Sequence, residues 1–285
     1  AVAGVLASAA GGERAERRID LIGPPPRTIV VRGAPVADGA TVAIVEDHTE
    51  RVRLDAVRTD FVANISHELK TPVGALAVLA EALADETEPE VIRRLSLKMV
   101  EESIRAGRTI DDLLELSRIE LGGEAIKEAV AVGLVIAEAV DRVRTLADRR
   151  GVVLRVVEPG DRMKVLGDRR QIVSALGNLV ENAIKYSESG KLVEVSASTD
   201  GLNVDMRVRD EGMGIPTRDL DRIFERFYRV DRARSRETGG TGLGLAIVRH
   251  VATNHGGDVL VSSVEGEGST FTLRIPAAPG LAVAS

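Results

Sequence analysis

A histidine next to a glutamate stands out in the segment SHELKTP, residues 66–72. The apolar residues Ile65 and Leu69 lie two positions away on either side, which is about 200° around a helix, so we expect the imidazole on the polar face. A solvated neutral imidazole has a free lone pair and can act as a nucleophile or a base. Glu68 can accept the proton of the other ring nitrogen. The segment as a whole predicts a nucleophilic histidine at position 67, whereas an exposed histidine taken alone could equally be a solvated surface residue.

A second polar group occurs in NLVENAIKY, residues 178–186. Asn178, Asn182 and Lys185 have the i, i+4, i+7 spacing of one helical face. Amide oxygens suit Mg²⁺, which takes its remaining ligands from water and nucleotide phosphates. Lys185 would add positive charge near the same phosphates. This face predicts a phosphate and Mg²⁺ site, and a solvated polar helix face is the alternative.

The segment DEGMGIP, residues 210–216, follows a predicted strand. Its glycines permit a tight turn and the close approach of a flat ring, and the Asp210 carboxylate can accept a hydrogen bond from an exocyclic amine. Adenine offers an amine, whereas guanine would present a second acceptor. We predict an adenine site here, although a plain turn has the same pattern.

The segment FERFYR, residues 224–229, is followed by a polar run to Thr238 and then by GGTGLG, residues 239–244. The polar run predicts a mobile loop. The glycines precede a predicted helix, whose unpaired N–H groups and dipole can bind phosphates. The pattern is neither a Walker A sequence nor a dinucleotide-binding fingerprint.

The histidine lies in the first of two segments with the apolar periodicity of a helix. Apolar residues recur at threes and fours over 54–79 and again over 92–116, with a polar break and a proline at 85–89. Pro72 lacks the N–H that would bond the Glu68 carbonyl and predicts a kink beyond the histidine. Such a hairpin covers its apolar stripe best by pairing with a second copy in a four-helix bundle, so we predict a homodimer.

The rest of the chain mixes helices and strands. After Gly122-Gly123, helices are expected at 132–149, 169–186, 220–224 and 243–255, and strands at 152–157, 192–197, 203–210, 259–263 and 269–275. This pattern predicts an α+β sandwich. Near the start, the runs 28–32 and 41–45 predict a β-hairpin that ends a small sheet domain over residues 1–47.

Composition excludes several classes of protein. The 285 residues are 44% hydrophobic and 29% charged, which predicts a globular chain of two or three modules. A net charge of −6 argues against nucleic acid as a partner, and the lack of cysteine excludes disulfides and thiolate metal sites. The apolar stretch 1–10 is shorter than the ~20 residues that cross a bilayer, and we expect the chain to be a fragment.

In this order and spacing, the segments resemble the H, N, G1, F and G2 boxes of two-component sensor histidine kinases over about residues 53–276. The resemblance implies a multidomain protein. Residues 1–52 would be the C-terminal part of a PAS-like sensor domain and a linker, and residues 53–120 a helical hairpin for dimerisation and histidine phosphotransfer, which forms a four-helix bundle in the dimer. Residues 127–278 would be an α+β sandwich of the Bergerat type that binds ATP. The run FVANISHELKTP looks like the phosphate-responsive branch of the family.

The resemblance implies autophosphorylation at His67 with ATP and Mg²⁺, and phosphotransfer to an aspartate in the receiver domain of a response regulator. Glu68 would be the acid/base partner, and Thr71 would position water for dephosphorylating the regulator. Asn182 would be the main Mg²⁺ ligand with Asn178 near it. The other implied nucleotide-binding residues are Lys185, Tyr186, Asp210, Gly212, Gly214, Ile215, Arg226, Phe227, Gly240, Thr241, Gly242, Leu243, Gly244 and Thr270.

The same resemblance implies the cytoplasmic portion of a protein anchored in the plasma membrane through a segment outside this chain. Two other functions fit parts of the pattern. An ATPase related to chaperones, topoisomerases or mismatch-repair proteins would share the Asn, Asp-Gly-x-Gly and Gly-rich elements, but it would lack the SHELKTP helix. A dimeric scaffold would bind ATP without modifying His67.

Overall fold

The structure is a computed structural model that describes residues 2–36, 40–120, 128–160, 163–230 and 240–279, apart from the side chains of 53–62, 64 and 120. It divides into two compact units, Ala1–His67 and Glu68–Ser285. Among the described helices, none is both long enough and apolar enough to cross a membrane. The predicted loop at 230–238 lies outside the described residues, except for Val230.

The first unit contains a three-stranded antiparallel sheet and a short helix. Helix α1 (Val2–Ala10) precedes strands β1 (Ala15–Leu21), β2 (Arg27–Pro35) and β3 (Thr41–Asp47), which pair in the order β1-β2-β3. Val5 and Ala9 of α1 are buried on β2, where a side chain at Gly33 would collide with them. The predicted hairpin is therefore confirmed as β2 and β3, whereas α1 and β1 were not predicted.

Two long helices follow. Helix α2 (Thr49–Ala84) is unbroken through Pro72, and α3 (Pro89–Glu120) starts at the proline that was predicted to mark the break. Proline suits the first turn of a helix because its missing N–H would have no partner there. In the connection between them, Glu86 Oε1 accepts hydrogen bonds from the backbone of Thr87 and Glu88, each at 2.9 Å. The sequence thus predicted both helices and the loop between them correctly.

The C-terminal part of the second unit is an α+β sandwich, as predicted. Its five-stranded sheet has the order β5-β7-β8-β10-β9, with β5 parallel to β7 and the other pairs antiparallel, and β4 and β6 form a separate pair. The elements are β4 (Glu128–Ala131), α4 (Val132–Arg150), β5 (Val153–Val156), β6 (Lys164–Gly167), α5 (Arg169–Tyr186), β7 (Leu192–Thr199), β8 (Asn203–Asp210), α6 (Gly244–Asn254), β9 (Asp258–Val264) and β10 (Gly268–Pro276).

Alternation along the strands places one face of the sheet against the helices. Val204, Met206 and Val208 of β8 are fully buried, as are Leu176 of α5 and Ile247 of α6. Helix α5 packs between α4 and α6 and lies over β7 and β8. The apolar face of α5 is therefore buried in the core, and its polar face remains available to bind a ligand.

The predicted helix at 220–224 is wrong. A 3₁₀ turn covers Thr217–Asp219 and is followed by consecutive turns. The Asp219 carbonyl accepts from the N–H groups of both Arg222 and Ile223, and the chain then turns away through Phe227, whose φ is 61°. The apolar residues at 220–224 therefore lie in consecutive turns and not in a helix.

Candidate active site

The polar face of α5 lies along a cavity of about 490 Å³ lined by Asn178, Asn182 and Lys185. The helix starts at a defined point because Asp168 Oδ1 accepts hydrogen bonds from the N–H groups of Arg170 (2.8 Å) and Gln171 (3.3 Å). The predicted spacing therefore does bring the two amides and the ammonium together on one surface.

Lys185 reaches this cavity in an ion pair. Its Nζ lies 2.8 Å from Oε1 of Glu181, one turn earlier, and its side chain is only 12% exposed. This pairing holds the ammonium beside the cavity instead of in open solvent. The neighbouring Tyr186 is 38% exposed and lines the same cavity.

A second cavity of about 400 Å³ adjoins the first and contains Asp210 in its wall. Oδ1 of this residue accepts hydrogen bonds from the N–H groups of Gly212 (2.9 Å) and Ser269 (3.2 Å). Among the described residues, no hydrogen bond ends on Oδ2. Burial raises the pKa of Asp210, and the two backbone hydrogen bonds oppose that rise. The carboxylate therefore has one fixed oxygen and one available to a ligand.

The turn after Asp210 depends on its glycines. A side chain at Gly212 would come within 2.6 Å of the Tyr186 carbonyl oxygen. Gly214 has a φ of 67°, and a side chain there would overlap the Val264 carbonyl. The next residue, Ile215, lines the Asp210 cavity and donates its N–H to Oγ of Ser263 at 2.8 Å.

The Gly-rich loop forms the remaining edge of the 490 Å³ cavity, through Gly240, Thr241, Gly242 and Gly244. Gly244 begins α6, so the loop leads into a helix N-terminus as predicted. A side chain at Gly244 would lie 3.3 Å from Oδ1 of Asn178, which shows how closely the loop approaches α5.

Besides Gly212, which shapes the turn after Asp210, three residues of the predicted set are absent from both cavity linings. The N–H of Phe227 donates to the Gly242 carbonyl at 2.9 Å, so Phe227 contacts the loop through its backbone. Leu243 is fully buried in the core. Arg226 precedes this turn and is half-buried, without lining either cavity.

Thr270 is also absent from both cavity linings. Ser269 and Phe271, its neighbours in β10, line the Asp210 cavity instead. Successive side chains of a strand point to opposite faces, so Thr270 lies on the side of the sheet away from the cavity. There it pairs with Arg209 and Ser262.

Other residues of the site were not predicted. Tyr228 and Arg229 border both cavities, and they directly follow the predicted Phe227, which was the available signal. Arg108, Asp111 and Asp112 of α3 also line the larger cavity. Nothing in the sequence pattern of α3 pointed to them.

The predicted nucleophile lies on α2. His67 and Thr71 are exposed and Glu68 is half-buried, which agrees with the helical face predicted for the histidine. Within the residues that the structure describes, no group of three or more His, Asp and Glu side chains could hold a metal ion. The larger cavity is lined both by the neutral amides of Asn178 and Asn182 and by the carboxylates of Asp111, Asp112 and Glu181.

Two protein families match this chain. The family described as "His Kinase A (phospho-acceptor) domain" covers residues 57–122, and "Histidine kinase-, DNA gyrase B-, and HSP90-like ATPase" covers residues 167–279. The sensor-like histidine kinase SenX3 of Mycolicibacterium smegmatis is 50% identical over 84% of this chain and 62% of the relative. The chain belongs to the sensor histidine kinases of two-component systems.

Other histidine kinases extend the comparison. The sensor histidine kinase WalK of Bacillus subtilis is 35% identical over 82% of this chain and 39% of its own length. The solved histidine kinase AdeS of Acinetobacter baumannii matches with a TM-score of 0.57 and 26% identity, over 74% of this chain and 97% of that one. The chain spans about three fifths of the length of its SenX3 relatives.

A further solved structure has the same fold. Histidine kinase ThkA, in complex with response regulator protein TrrA, matches with a TM-score of 0.65 at 19% identity, over 99% of this chain and 84% of that chain. Within the histidine kinase family, the SHELKTP segment falls in the phospho-acceptor domain, and the two cavities fall largely in the ATPase domain.

Proposed function

We propose that this histidine kinase transfers the γ-phosphoryl group of ATP to His67 and then to an aspartate of a response regulator. One observation carries the proposal. The Asp210 carboxylate, with one oxygen available, lies in a cavity that adjoins the polar face of α5 and the Gly-rich loop. A base site next to a phosphate site is the arrangement that a nucleotide requires.

Asp210 would recognise the base. Its Oδ1 is held by two backbone N–H groups, so Oδ2 can accept from the amine of adenine. Guanine would place a carbonyl oxygen against this carboxylate, and the repulsion between two acceptors supports selectivity for adenine. Met213 and Ile215 supply apolar surface for the ring.

The larger cavity would hold the phosphates. Bound ATP supplies a transferable phosphoryl group, and Mg²⁺ neutralises phosphate charge. The amide oxygens of Asn178 and Asn182 suit Mg²⁺ in the absence of a carboxylate cluster among the described residues. Lys185 and the loop of Gly240, Thr241 and Gly242 add a positive charge and backbone N–H groups.

His67 would be the nucleophile and Glu68 its partner. An exposed imidazole can present one nitrogen lone pair to the phosphorus atom while the other ring nitrogen keeps its proton. The positive charge that develops on the ring is stabilised by the Glu68 carboxylate, which follows it in the chain. Most of the acceleration in such transfers comes from positioning and electrostatics.

The partners follow from the same proposal. ThkA was solved as a histidine kinase in complex with a response regulator, which supports a receiver domain as the phosphoryl acceptor for this chain. Apolar side chains that remain exposed on α2 and α3, such as Val78 and Val100, support a homodimeric helical bundle. Dephosphorylation of the regulator through Thr71, the PAS-like domain and the membrane anchor stay predictions.

The test uses γ-labelled ATP, Mg²⁺ and the full chain. We expect an acid-labile, base-stable label that is lost in His67→Gln and retained in His48→Gln, a control histidine near the end of β3. Asp210→Ala should lose both nucleotide binding and label. Label retained in His67→Gln would contradict the assignment, and steady phosphate release without a phosphoprotein would favour a simple ATPase.

A further inference from the structure

Asp112 of α3 contacts the Gly-rich loop directly. The hydroxyl of Thr241 donates a 2.6 Å hydrogen bond to Oδ2 of Asp112, which lies 129 residues earlier in the chain. Burial raises the pKa of Asp112, while the bond from Thr241 and the charge of Lys185 oppose the rise. A carboxylate from the phospho-acceptor domain thus lies at the proposed phosphate site.

Two side-chain hydrogen-bond donors at this end of the cavity are already bonded to carboxylates. Lys185 is paired with Glu181, and Thr241 is bonded to Asp112. Glu181 belongs to the same helix as Lys185, so its contact can persist whatever the neighbouring domain does. Asp112 belongs to α3, so its contact requires the ATPase domain to rest on the helical hairpin.

A second contact extends this attachment along α6. The side-chain amide of Asn254, the last residue of α6, donates to the Ile119 carbonyl at 3.2 Å. Leu116 and Ile119 of α3 are buried, with exposures of 0% and 4%. The segment of α3 from Asp112 to Ile119 therefore holds α6 from the loop at its N-terminus to its last residue.

We propose that Asp112 is a nucleotide-displaced latch, which holds the Gly-rich loop on α3 until phosphates replace its carboxylate at Thr241. The inference rests on the proposed function, since it assumes that this cavity binds nucleotide phosphates. Phosphate oxygens and the Asp112 carboxylate are both anionic acceptors and compete for the same hydroxyl. Phosphate binding and the α3 contact therefore oppose each other, and such opposition between two sites is reciprocal.

The latch predicts a specific affinity pattern. Asp112→Ala should bind ATP about 5- to 10-fold more tightly than the unmodified chain, because no contact has to be broken first. The gain in affinity should be smaller for ADP. It should be absent for adenosine, which has no phosphate to compete with the Asp112 carboxylate. Asp112→Asn keeps an acceptor for Thr241 and removes the charge, so its gain should be intermediate.

The matched control is Asp111→Ala. Asp111 precedes Asp112 and lines the same cavity, but it is exposed, and the Thr241 hydroxyl bonds Asp112 instead. This variant removes one negative charge without releasing the loop. An equal gain in Asp111→Ala would overturn the latch in favour of general charge repulsion.

Calorimetry with the full chain and the three nucleotides separates the remaining outcomes. ATP binding that is unchanged or weaker in Asp112→Ala overturns the latch while leaving the proposed function intact. If neither the unmodified chain nor Asp112→Ala binds ATP, with native circular dichroism in both, the proposed function fails and the latch fails with it. Tighter ATP binding in Asp112→Ala alone, with unchanged adenosine binding, supports both.

Discussion

The backbone N–H of Asp168 donates a 3.0 Å hydrogen bond to Nε2 of His255, a side chain only 4% exposed. The other ring nitrogen, Nδ1, lies 2.7 Å from the Val251 carbonyl and therefore donates to it. Asp168 caps the start of α5 and His255 follows the end of α6. One neutral imidazole thus connects the two helices that carry the proposed phosphate site.

We expect His255→Ala to lower the free energy of unfolding of the ATPase domain by roughly 2–4 kcal/mol. The change leaves the Asp168 N–H without its partner, which costs about 1–3 kcal/mol, and opens a cavity. Urea denaturation monitored by circular dichroism measures the loss. Thr253→Ala is the control, since its exposed hydroxyl donates to the Arg249 carbonyl within the same helix and its removal should cost under about 0.5 kcal/mol. Equal stability of the two variants would contradict a structural role for His255.

Alanine substitution at two glycines with positive φ can separate the effect of a steric collision from the effect of an unfavourable backbone conformation. Gly214 and Gly266 have φ values of 67° and 86°, but a side chain would collide with the Val264 carbonyl only at Gly214. Alanine at either position pays for the left-handed conformation, about 1–2 kcal/mol. We expect Gly214→Ala to lose ATP binding as well, because the turn beside Asp210 must shift. Gly266→Ala should bind ATP normally, and weak binding by both variants would show that general destabilisation is responsible.

Local spacing was enough to predict two groups of residues in the site. Asn178, Asn182 and Lys185 share one face because they share one helix, and helical geometry fixes their relative positions. The same holds for Asp210, Gly212 and Gly214, which occupy one short turn at a strand end. In such cases the sequence contains all of the positional information.

Contacts between distant segments could not be predicted in this way. The bond from Thr241 to Asp112 depends on how α3 packs against α6, and no periodicity in either segment encodes that packing. The resemblance implied that Thr270 belongs to the site, but strand alternation directs its side chain to the other face of the sheet. The helix expected at 220–224 was wrong because apolar residues in successive turns imitate a helical pattern.

Tyr228 should titrate above the ordinary range of a tyrosine. Its hydroxyl donates to Oδ1 of Asp219 at 2.7 Å, and this hydrogen bond to a carboxylate is the main cause of the raised pKa. The chain has two tyrosines, so Tyr186→Phe leaves Tyr228 as the only phenol to observe by ultraviolet absorbance. Adding Asp219→Asn should lower the pKa of Tyr228, because the amide carries no charge to repel the phenolate. An unchanged titration would contradict the Asp219 contact.

Adenosine binding should weaken as the solution is acidified. Because burial raises the pKa of Asp210, we expect the loss to begin at a pH above 3.8, the ordinary pKa of an aspartate. Only the ionised carboxylate is a full acceptor for the adenine amine, so protonation competes with the ligand. The effect of Asp210 on folding has the opposite sign. A pKa raised by burial contributes stability below the unfolded-state pKa, and that contribution is lost as the pH rises through the folded-state pKa.

Calorimetric titration with adenosine, which has no phosphate to titrate, measures this pH dependence directly. Asp205→Asn is the control, because Arg274 holds the pKa of Asp205 below its usual value on the other face of the sheet, so the carboxylate stays ionised across the range tested. We expect that variant to keep the pH profile of the unmodified chain. Asp210→Asn should bind adenosine weakly and with a flat profile. A profile in the unmodified chain that stays flat down to the ordinary Asp range would show that the Asp210 carboxylate does not bind the base.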